Sequence, residues 1–282
     1  MNKIWRFGYK GFQQEALKDF PYIAEACGHE RGIMAVTQLQ VRKSGERTSP
    51  DGKPVGNKIL LSIPDVEYRR IRPHLEFAGL PGHAMLHEAR EKVHFAYFLN
   101  RGLASIVVST KGGRDVEAGV AGLEGVVGTS IAVGLQQSPL KEVMQIEGDA
   151  FKVDADALRS VLPWTPDLRQ RISRYAVLQG MQVAQTAACN RLHKVAPRLA
   201  RWLLMAQDRV DSGTLAITHD YLATMLGTDR PSVTLAAHAL QKKKVIKYNR
   251  GSVAILNRHG LESAACECYR VIQQLNGELG LR

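Results

Sequence analysis

The sequence predicts an α+β fold in three parts: an N-terminal antiparallel β-roll, one long helix, and a C-terminal winged helix-turn-helix. Three observations predict it. Short apolar runs recur between glycines over residues 59–151, the pattern of a meandering antiparallel sheet. A helical stretch of about 27 residues, or ~40 Å, follows over 167–193. Beyond it, residues 217–240 (ITHDYLATMLGTDRPSVTLAAHAL) read as two short helices joined by a tight turn at Gly227.

Taken in order, residues 1–56 look like a flexible N-terminal extension. Its end, RKSGERTSPDGKPVGNK over 42–58, is rich in Gly, Pro, Ser and charge and reads as a linker. A short helix is expected within 13–27, with no chemistry attached. The roll spans 57–162. Its strands are expected in AYFLN, LASIVVST, VEAGVAGL, VVGTSIAVG and EVMQIEG, with a hairpin turn at STKGGRD. Residues 154–162 read as a short helix with Asp154 as N-cap. Pro163 and Pro166 punctuate the chain and open the long helix, placed within 163–195. Its apolar positions are Leu168, Ile172, Tyr175, Leu178, Ala184, Ala187 and Leu192. That length between two domains suits a dimerisation strut. Gln179, Gln182 and Gln185 interrupt the seam, so packing within one chain is the alternative.

The last domain, 196–282, opens on PRLARWLLMAQDRV with a stripe of Leu199, Trp202, Leu203 and Ala206. In the helix-turn-helix, small Ala223 lies four residues before Gly227 and aliphatic Val233 six after it, where helices cross and a core residue is needed. Residues 245–248 and 252–256 form a hairpin about Asn249-Arg250-Gly251, the wing. A final helix is expected over 261–275.

Composition agrees with two domains. The 282 residues are 45% hydrophobic and 23% charged, an ordinary globular balance. A net charge of +11 favours an anionic partner, and over half of the excess falls in the last third of the chain. No apolar run reaches the ~18 residues of a membrane span, and the first residues lack a signal-peptide core. The expected location is cytoplasmic, with no membrane partner. Four cysteines, Cys27, Cys189, Cys266 and Cys268, do not make a disulfide framework in a chain this long.

The run LLMAQDRV…LAITHDYLATMLGTDRPSVTLAAHALQ…VIKYNRGSVAILNRHGLESAACECY resembles the C-terminal half of Crp/Fnr-family transcription regulators. The Thr-opened first helix, Leu-Ala, Leu-Gly, the arginine after the turn, Ser-Val-Thr, the Arg-Gly wing and the Cys-x-Cys-Tyr end carry the likeness. Upstream, LHEAREKVHFAYFLNRGLASIVV is similar to the family's sensor strands. The resemblance covers roughly 58–275. It implies a cyclic-nucleotide-binding-like sensor roll, a homodimer joined by the long helix, and a winged helix bound to a palindromic operator in double-stranded DNA. RNA polymerase is then a further expected partner. No enzymatic activity is implied.

The recognition helix should run over about 229–241, with its N-terminal residues reaching base edges. Arg230 is placed to make a bidentate contact with guanine, worth ~1–3 kcal/mol of discrimination. Ser232 faces a base edge or phosphate, and Thr234 and Leu235 sit on the next exposed step, Leu235 toward a thymine methyl. Asp229 and Pro231 complete the first turn. Thr218, as N-cap of the first helix, presents its amide end to phosphate. Lys242, Lys243, Lys244, Lys247 and Arg250 form a basic cluster beside the wing, although a lysine run is also the ordinary form of a solvated face. The best-known family members carry an acidic residue and a second arginine where this chain has Pro231 and Leu235. A different operator is expected.

The sensor site departs from the cyclic-nucleotide pattern. The family pairs Gly-Glu with Arg-Ser/Thr-Ala; here Gly128 is followed by Thr129, and Lys141-Glu142 stands near the arginine position. A lysine offers a point charge without the guanidinium fork, and Glu142 would repel an anion. Cyclic AMP is therefore not expected. Another effector in a pocket of Gly128, Thr129, Lys141 and Glu142 is the alternative. No cofactor is called for. An iron–sulfur sensor needs about four clustered cysteines. Cys266 and Cys268 alone cannot complete a zinc site and read as packing residues. His74, His83, His87 and His94 crowd the start of the roll. Of these, His83 and His87, with Glu88, are the weak candidates for a competing reading, a cupin-like metal enzyme with an accessory nucleic-acid-binding domain.

Overall fold

The computed structural model describes residues 43–210 and 212–278. The helix expected within 13–27, and most of the extension expected over 1–56, lie outside the described residues. The described part of that extension corrects the linker reading, because residues 43–57 pack onto the fold. A turn with Gly52 at φ +78° brings Thr48 and Pro54 into a β-bridge. Arg47 is buried, donates to Ile63 O at 2.7 Å and to Asp65 Oδ1 at 2.6 Å, and lies 4.5 Å from the Tyr68 ring centre. Composition alone describes a free chain. Acceptors and an aromatic face elsewhere offset the cost of burying this arginine. Asn57 then ties the segment down, its amide donating to Leu99 O at 2.9 Å and Gly125 O at 2.7 Å.

Helices α1 (Lys58–Ser62) and α2 (Asp65–Ile71) precede the sheet, which comprises β1 (Glu76–Leu80), β2 (Met85–His87), β3 (Phe95–Ser109), β4 (Asp115–Ala121), β5 (Val126–Val127) and β6 (Lys141–Asp154). All pairings are antiparallel. The order is β1-β6-β3-β4, with β2 on β6 and β5 on β3. The β3–β6 ladder runs from Phe95↔Asp154 to Val107↔Lys141 and shifts register around Gly102. Gly102 sits at φ +90°, and a Cβ there would stand 2.7 Å from Ile146 O. Such bulges bend a long strand pair and let the sheet roll.

VVGTSIAVG, expected as a strand, is mostly something else. Only Val126–Val127 pair with β3, and Thr129–Val133 form a 3₁₀ turn. Gly128 at φ +84° and Gly134 at φ +80° bracket that turn with left-handed backbone, which ends any extended run.

Helix α3 (Ala155–Val161) is capped by Asp154, which accepts from the N–H groups of Asp156 and Ala157. Helix α4 (Pro166–Leu192) is the long helix. Its own first residues supply no cap. Glu67 of α2 does so instead, accepting from the N–H groups of Asp167 at 3.0 Å and Leu168 at 2.9 Å, where a carboxylate also meets the positive end of the helix dipole. Leu168, Ile172 and Tyr175 bury against the roll beside Phe98, Leu99 and Phe151. The apolar stripe read as one seam is therefore divided. Its N-terminal part belongs to the roll's core, while Val177, Met181 and Leu192 remain exposed along the same helix.

Helix α5 (Val195–Val210) buries Leu199, Trp202, Leu203 and Ala206 in a second core. Strand β7 (Thr214–Ala216), helix α6 (His219–Met225), helix α7 (Arg230–Lys242), strands β8 (Ile246–Asn249) and β9 (Ser252–Ile255), and helices α8 (Arg258–Ala264) and α9 (Cys268–Glu278) complete the described chain. β7 adds to the wing, giving the order β7-β9-β8. The single final helix expected over 261–275 is two helices. The break at Ala265, whose backbone is extended, turns Cys266 and Cys268 toward the end of α4.

The two cores are joined by buried polar contacts. Trp202 Nε1 donates to Glu117 Oε1 of β4 at 2.8 Å, and Arg209 Nε pairs with Glu124 Oε1 at 2.8 Å. Glu117 is wholly buried and also accepts from Ser105 Oγ at 2.5 Å. Burial pushes its carboxyl up to about 7, against the opposing pull of Ser105, Trp202 and the Arg201 and Arg209 charges.

Candidate nucleic-acid interface

The interface is built from α6, α7 and the wing. Thr218 caps α6, its hydroxyl accepting from Tyr221 N–H at 3.3 Å. Gly227, at φ +56°, makes the turn. The turn is crowded as well as left-handed, since a Cβ there would lie 2.8 Å from Val116 of β4. Tyr221 of α6 meets the His83 ring at 4.7 Å, so the first helix and the turn both rest on the roll.

Asp229 caps α7 by accepting from Ser232 N–H at 2.7 Å, and this hydrogen bond holds its carboxyl below the usual range. Its part is to start the helix and so to orient Arg230 and the rest of the first turn. Pro231 occupies that turn, where no N–H is needed. Val233, Ala236, Ala237 and Leu240 fill the core. Arg230, Pro231, Thr234, Leu235, His238 and Lys242 are left exposed, Leu235 at 73%. A solvated helix face is ordinarily polar. Leu235 is the one large apolar side chain on this exposed face, among Arg230, His238 and Lys242.

Several site residues carry constraints that the sequence did not reveal. Arg230 Nη1 pairs with Asp220 Oδ2 of α6 at 3.1 Å, with both side chains 65% exposed. Such a pair is worth ~0–1 kcal/mol, so it holds the guanidinium near the α6–α7 junction without locking it. Thr234 Oγ1 donates back to Arg230 O at 3.0 Å and accepts from His219 Nδ1 at 3.1 Å. Its hydroxyl is thus committed, and the methyl is the group it can offer outward. His219 stacks on Tyr248 of the wing at 3.8 Å, and burial lowers its pKa, which favours the neutral ring. One neutral histidine thereby wedges α6, α7 and β8 together. Sequence reading missed it. Ser232 is half-buried.

The basic cluster is exposed throughout. Lys242 ends α7 and Lys243 is its C-cap. Lys244 adopts φ +57°, with Lys244 N–H donating to Gln241 O at 2.8 Å and Val245 N–H to Leu240 O at 3.3 Å. This Schellman closure turns the chain into the wing. Lys247 lies on β8 and Arg250 at the tip between β8 and β9.

The expected sensor pocket is divided. Lys141 and Glu142 are successive strand residues and face opposite ways. Lys141 Nζ reaches Asp115 at 3.3 Å, while Glu142 Oε2 meets His87 Nδ1 at 2.5 Å. Gly128 stands beside Glu142's partner, since a Cβ there would be 2.9 Å from His87 Cε1; Thr129 opens the 3₁₀ turn. His83 and His87 do not converge, and Glu88 is exposed. A different cavity, of about 560 Å³, opens between the roll and the DNA-binding half, lined by Gly79, Arg101, Gly148, Ser212 and Thr214 among others. Among the described residues, no helix is long and apolar enough to cross a membrane.

Residues 197–264 match the family described as the Crp-like helix-turn-helix domain. No curated protein matches the chain. Solved regulators share the fold. FixK2 from Bradyrhizobium japonicum aligns at TM-score 0.59 and 13% identity over 68% of this chain and 98% of its own. The c-di-GMP responsive global regulator CLP from Xanthomonas campestris aligns at 0.57 and 14%, over 68% and 99%. A CRP-family transcriptional regulator from Thermus thermophilus aligns at 0.54 and 19%, over 67% and 96%. The chain therefore has the fold of the Crp/Fnr regulators, and its residues 197–264 are a Crp-like helix-turn-helix DNA-binding domain.

Proposed function

We propose that the protein is a homodimeric transcription regulator that reads an inverted-repeat operator through α7 and grips the flanking phosphates with its wing. The observation that carries this reading is the composition of one continuous surface. Arg230, Thr234 and Leu235 line the exposed face of α7, and Lys242, Lys243, Lys247 and Arg250 extend it onto the wing. Arg230 swings from Asp220 to a guanine, Leu235 and the Thr234 methyl meet thymine methyls, and the lysines neutralise phosphates. Asp229, Pro231, Ser232 and Thr218 set the two helix N-termini against the backbone.

A homodimer is supported by the second face of α4. Val177, Met181, Ala184, Ala188 and Leu192 are small or apolar, exposed, and spaced three or four residues apart, with Gly180 beside them. Two copies of that face would bury it along a helix pair. Cyclic AMP is a poor effector for this roll, since Lys141 is held by Asp115 and Glu142 by His87, and neither offers a guanidinium grip. A regulator bound beside a promoter would meet RNA polymerase as its further partner. The cupin-like reading loses its support, because its candidate ligands face different partners.

Selection of duplexes from a random pool by the purified full chain tests the proposal. Enriched sequences should be inverted repeats with half-sites about one helical turn, ~34 Å, apart. Recovery of no common sequence would overturn it.

A further inference from the structure

The end of α4 and the start of α9 place four soft or borderline metal ligands together. Cys189 lies in the last turn of α4 and His193 is its C-cap, four residues on and therefore on the same side. Cys266 and Cys268 flank Glu267 in the link between α8 and α9. Cys189 Sγ and Cys266 Sγ are 3.5 Å apart, and Cys268 Sγ and His193 Nδ1 are 3.7 Å apart. All four ligand atoms lie within 4.8 Å of one another, and the three thiols are buried. Around a tetrahedral zinc ion with bonds of ~2.3 Å to sulfur and ~2.0–2.1 Å to nitrogen, ligand atoms stand about 3.6–3.8 Å apart. The observed spacing is already close to that figure.

The surroundings also suit a metal centre. His193 Nε2 is 3.1 Å from Glu267 Oε1, the carboxylate–histidine arrangement that fixes which ring nitrogen faces a metal. Gln185 Nε2 donates to Cys268 Sγ at 3.0 Å, as an amide does to a thiolate. Arg198 and Arg201 are 6% and 3% exposed, and their charges act on Cys189. Their Nε atoms have no hydrogen-bond partner, and among the described residues neither arginine is within ion-pair distance of a carboxylate. Glu117 lies within electrostatic reach of Arg201, whereas Arg198 has no carboxylate partner among the described residues, and a buried cation so placed is costly. Three thiolates and a neutral imidazole around a divalent ion carry a net charge of −1, which would offset part of that cost.

We propose that Cys189, His193, Cys266 and Cys268 bind one structural zinc ion. Binding releases three thiol protons to solvent and leaves no open coordination position, so the site is structural rather than catalytic. The imidazole favours zinc over copper(I), which prefers an all-sulfur set. The ion would staple the end of the long helix to the two C-terminal helices, setting how α4 meets the DNA-binding domain. This does not depend on the DNA contacts proposed above.

The test uses the untagged full chain, purified under reducing conditions without chelator. Elemental analysis should find one zinc per chain. Cobalt(II) added to the chelated protein should give the intense visible bands of a tetrahedral thiolate site. Cys268→Ser should lose the metal. Because that variant could also fail to fold, Glu267→Gln is measured beside it. It keeps all four ligands, and in a competition with a chromophoric chelator it should weaken zinc binding about 10–100-fold. Far less than one zinc per chain, together with no cobalt bands, would overturn the proposal. So would a Cys189–Cys266 disulfide in the isolated protein, or metal content unchanged in both variants.

Discussion

Glu117 should make the junction between the roll and the DNA-binding half pH-dependent. Its carboxyl is buried on β4, bonded to Trp202 of α5 and Ser105 of β3, and its pKa rises from 4.5 in a free side chain to about 7. Below pH 4.5 it is neutral in folded and unfolded chains alike, and the fold keeps its full contribution. Between 4.5 and about 7 the folded chain still holds a proton that the unfolded chain has released, so stability falls as pH rises through that window. At about 1.4 kcal/mol for each tenfold change in proton activity, that window amounts to ~3 kcal/mol. The Glu117→Gln variant mimics the protonated group, with its amide oxygen accepting from Trp202 and its NH₂ facing the Ser105 hydroxyl. Urea unfolding of both proteins from pH 5 to 8 separates this group from every other titration, since those are common to the two. The wild type should lose ~2–3 kcal/mol relative to the variant across the range, most of it below pH 7. Parallel curves would refute the reasoning.

Three further outcomes are expected. Lys243→Ala should weaken binding to all DNA sequences alike and flatten the slope of log affinity against log salt by about 0.9, and an unchanged slope would exclude Lys243 from phosphate contact. Met181→Glu, which sets a charge in the exposed stripe of α4, should convert a dimer to a monomer in sedimentation; a persisting dimer would place the seam elsewhere. Gly125→Ala would set a Cβ 2.1 Å from Tyr175 Cζ, backing the long helix off the roll. The expected loss is ~1–3 kcal/mol, and an unaltered melting temperature would show that Tyr175 is not fixed there.

The DNA-binding half was the most legible part of the chain because its signals are local. Ala223, Gly227 and Val233 fall within eleven residues, and Thr218 caps the helix that begins at the next residue, as Asp154 does at the end of the roll. What escaped depends on partners distant in sequence. Glu67 caps a helix 100 residues away. Arg47 is ordered by carbonyls and a ring that composition cannot reveal. The break between α8 and α9 turns Cys266 and Cys268 toward Cys189, 77 residues upstream of Cys266. Of this ligand set only Cys266 and Cys268 were noted as a pair in the sequence; Cys189 and His193 join them only through the fold. Lys141 and Glu142 were placed in one pocket from their likeness to the family's arginine position, yet a strand sends neighbours to opposite sides.

The central claim is that α7 reads base sequence through Arg230, and the most direct measurement is a base-by-base affinity profile. Each position of the selected operator is changed in turn and bound by wild-type protein and by Arg230→Ala at fixed salt. Discrimination of ~1–3 kcal/mol should vanish in the variant at one guanine in each half-site and persist at all other positions. An equal loss of affinity on operator and random DNA, with the profile otherwise unchanged, would contradict the account.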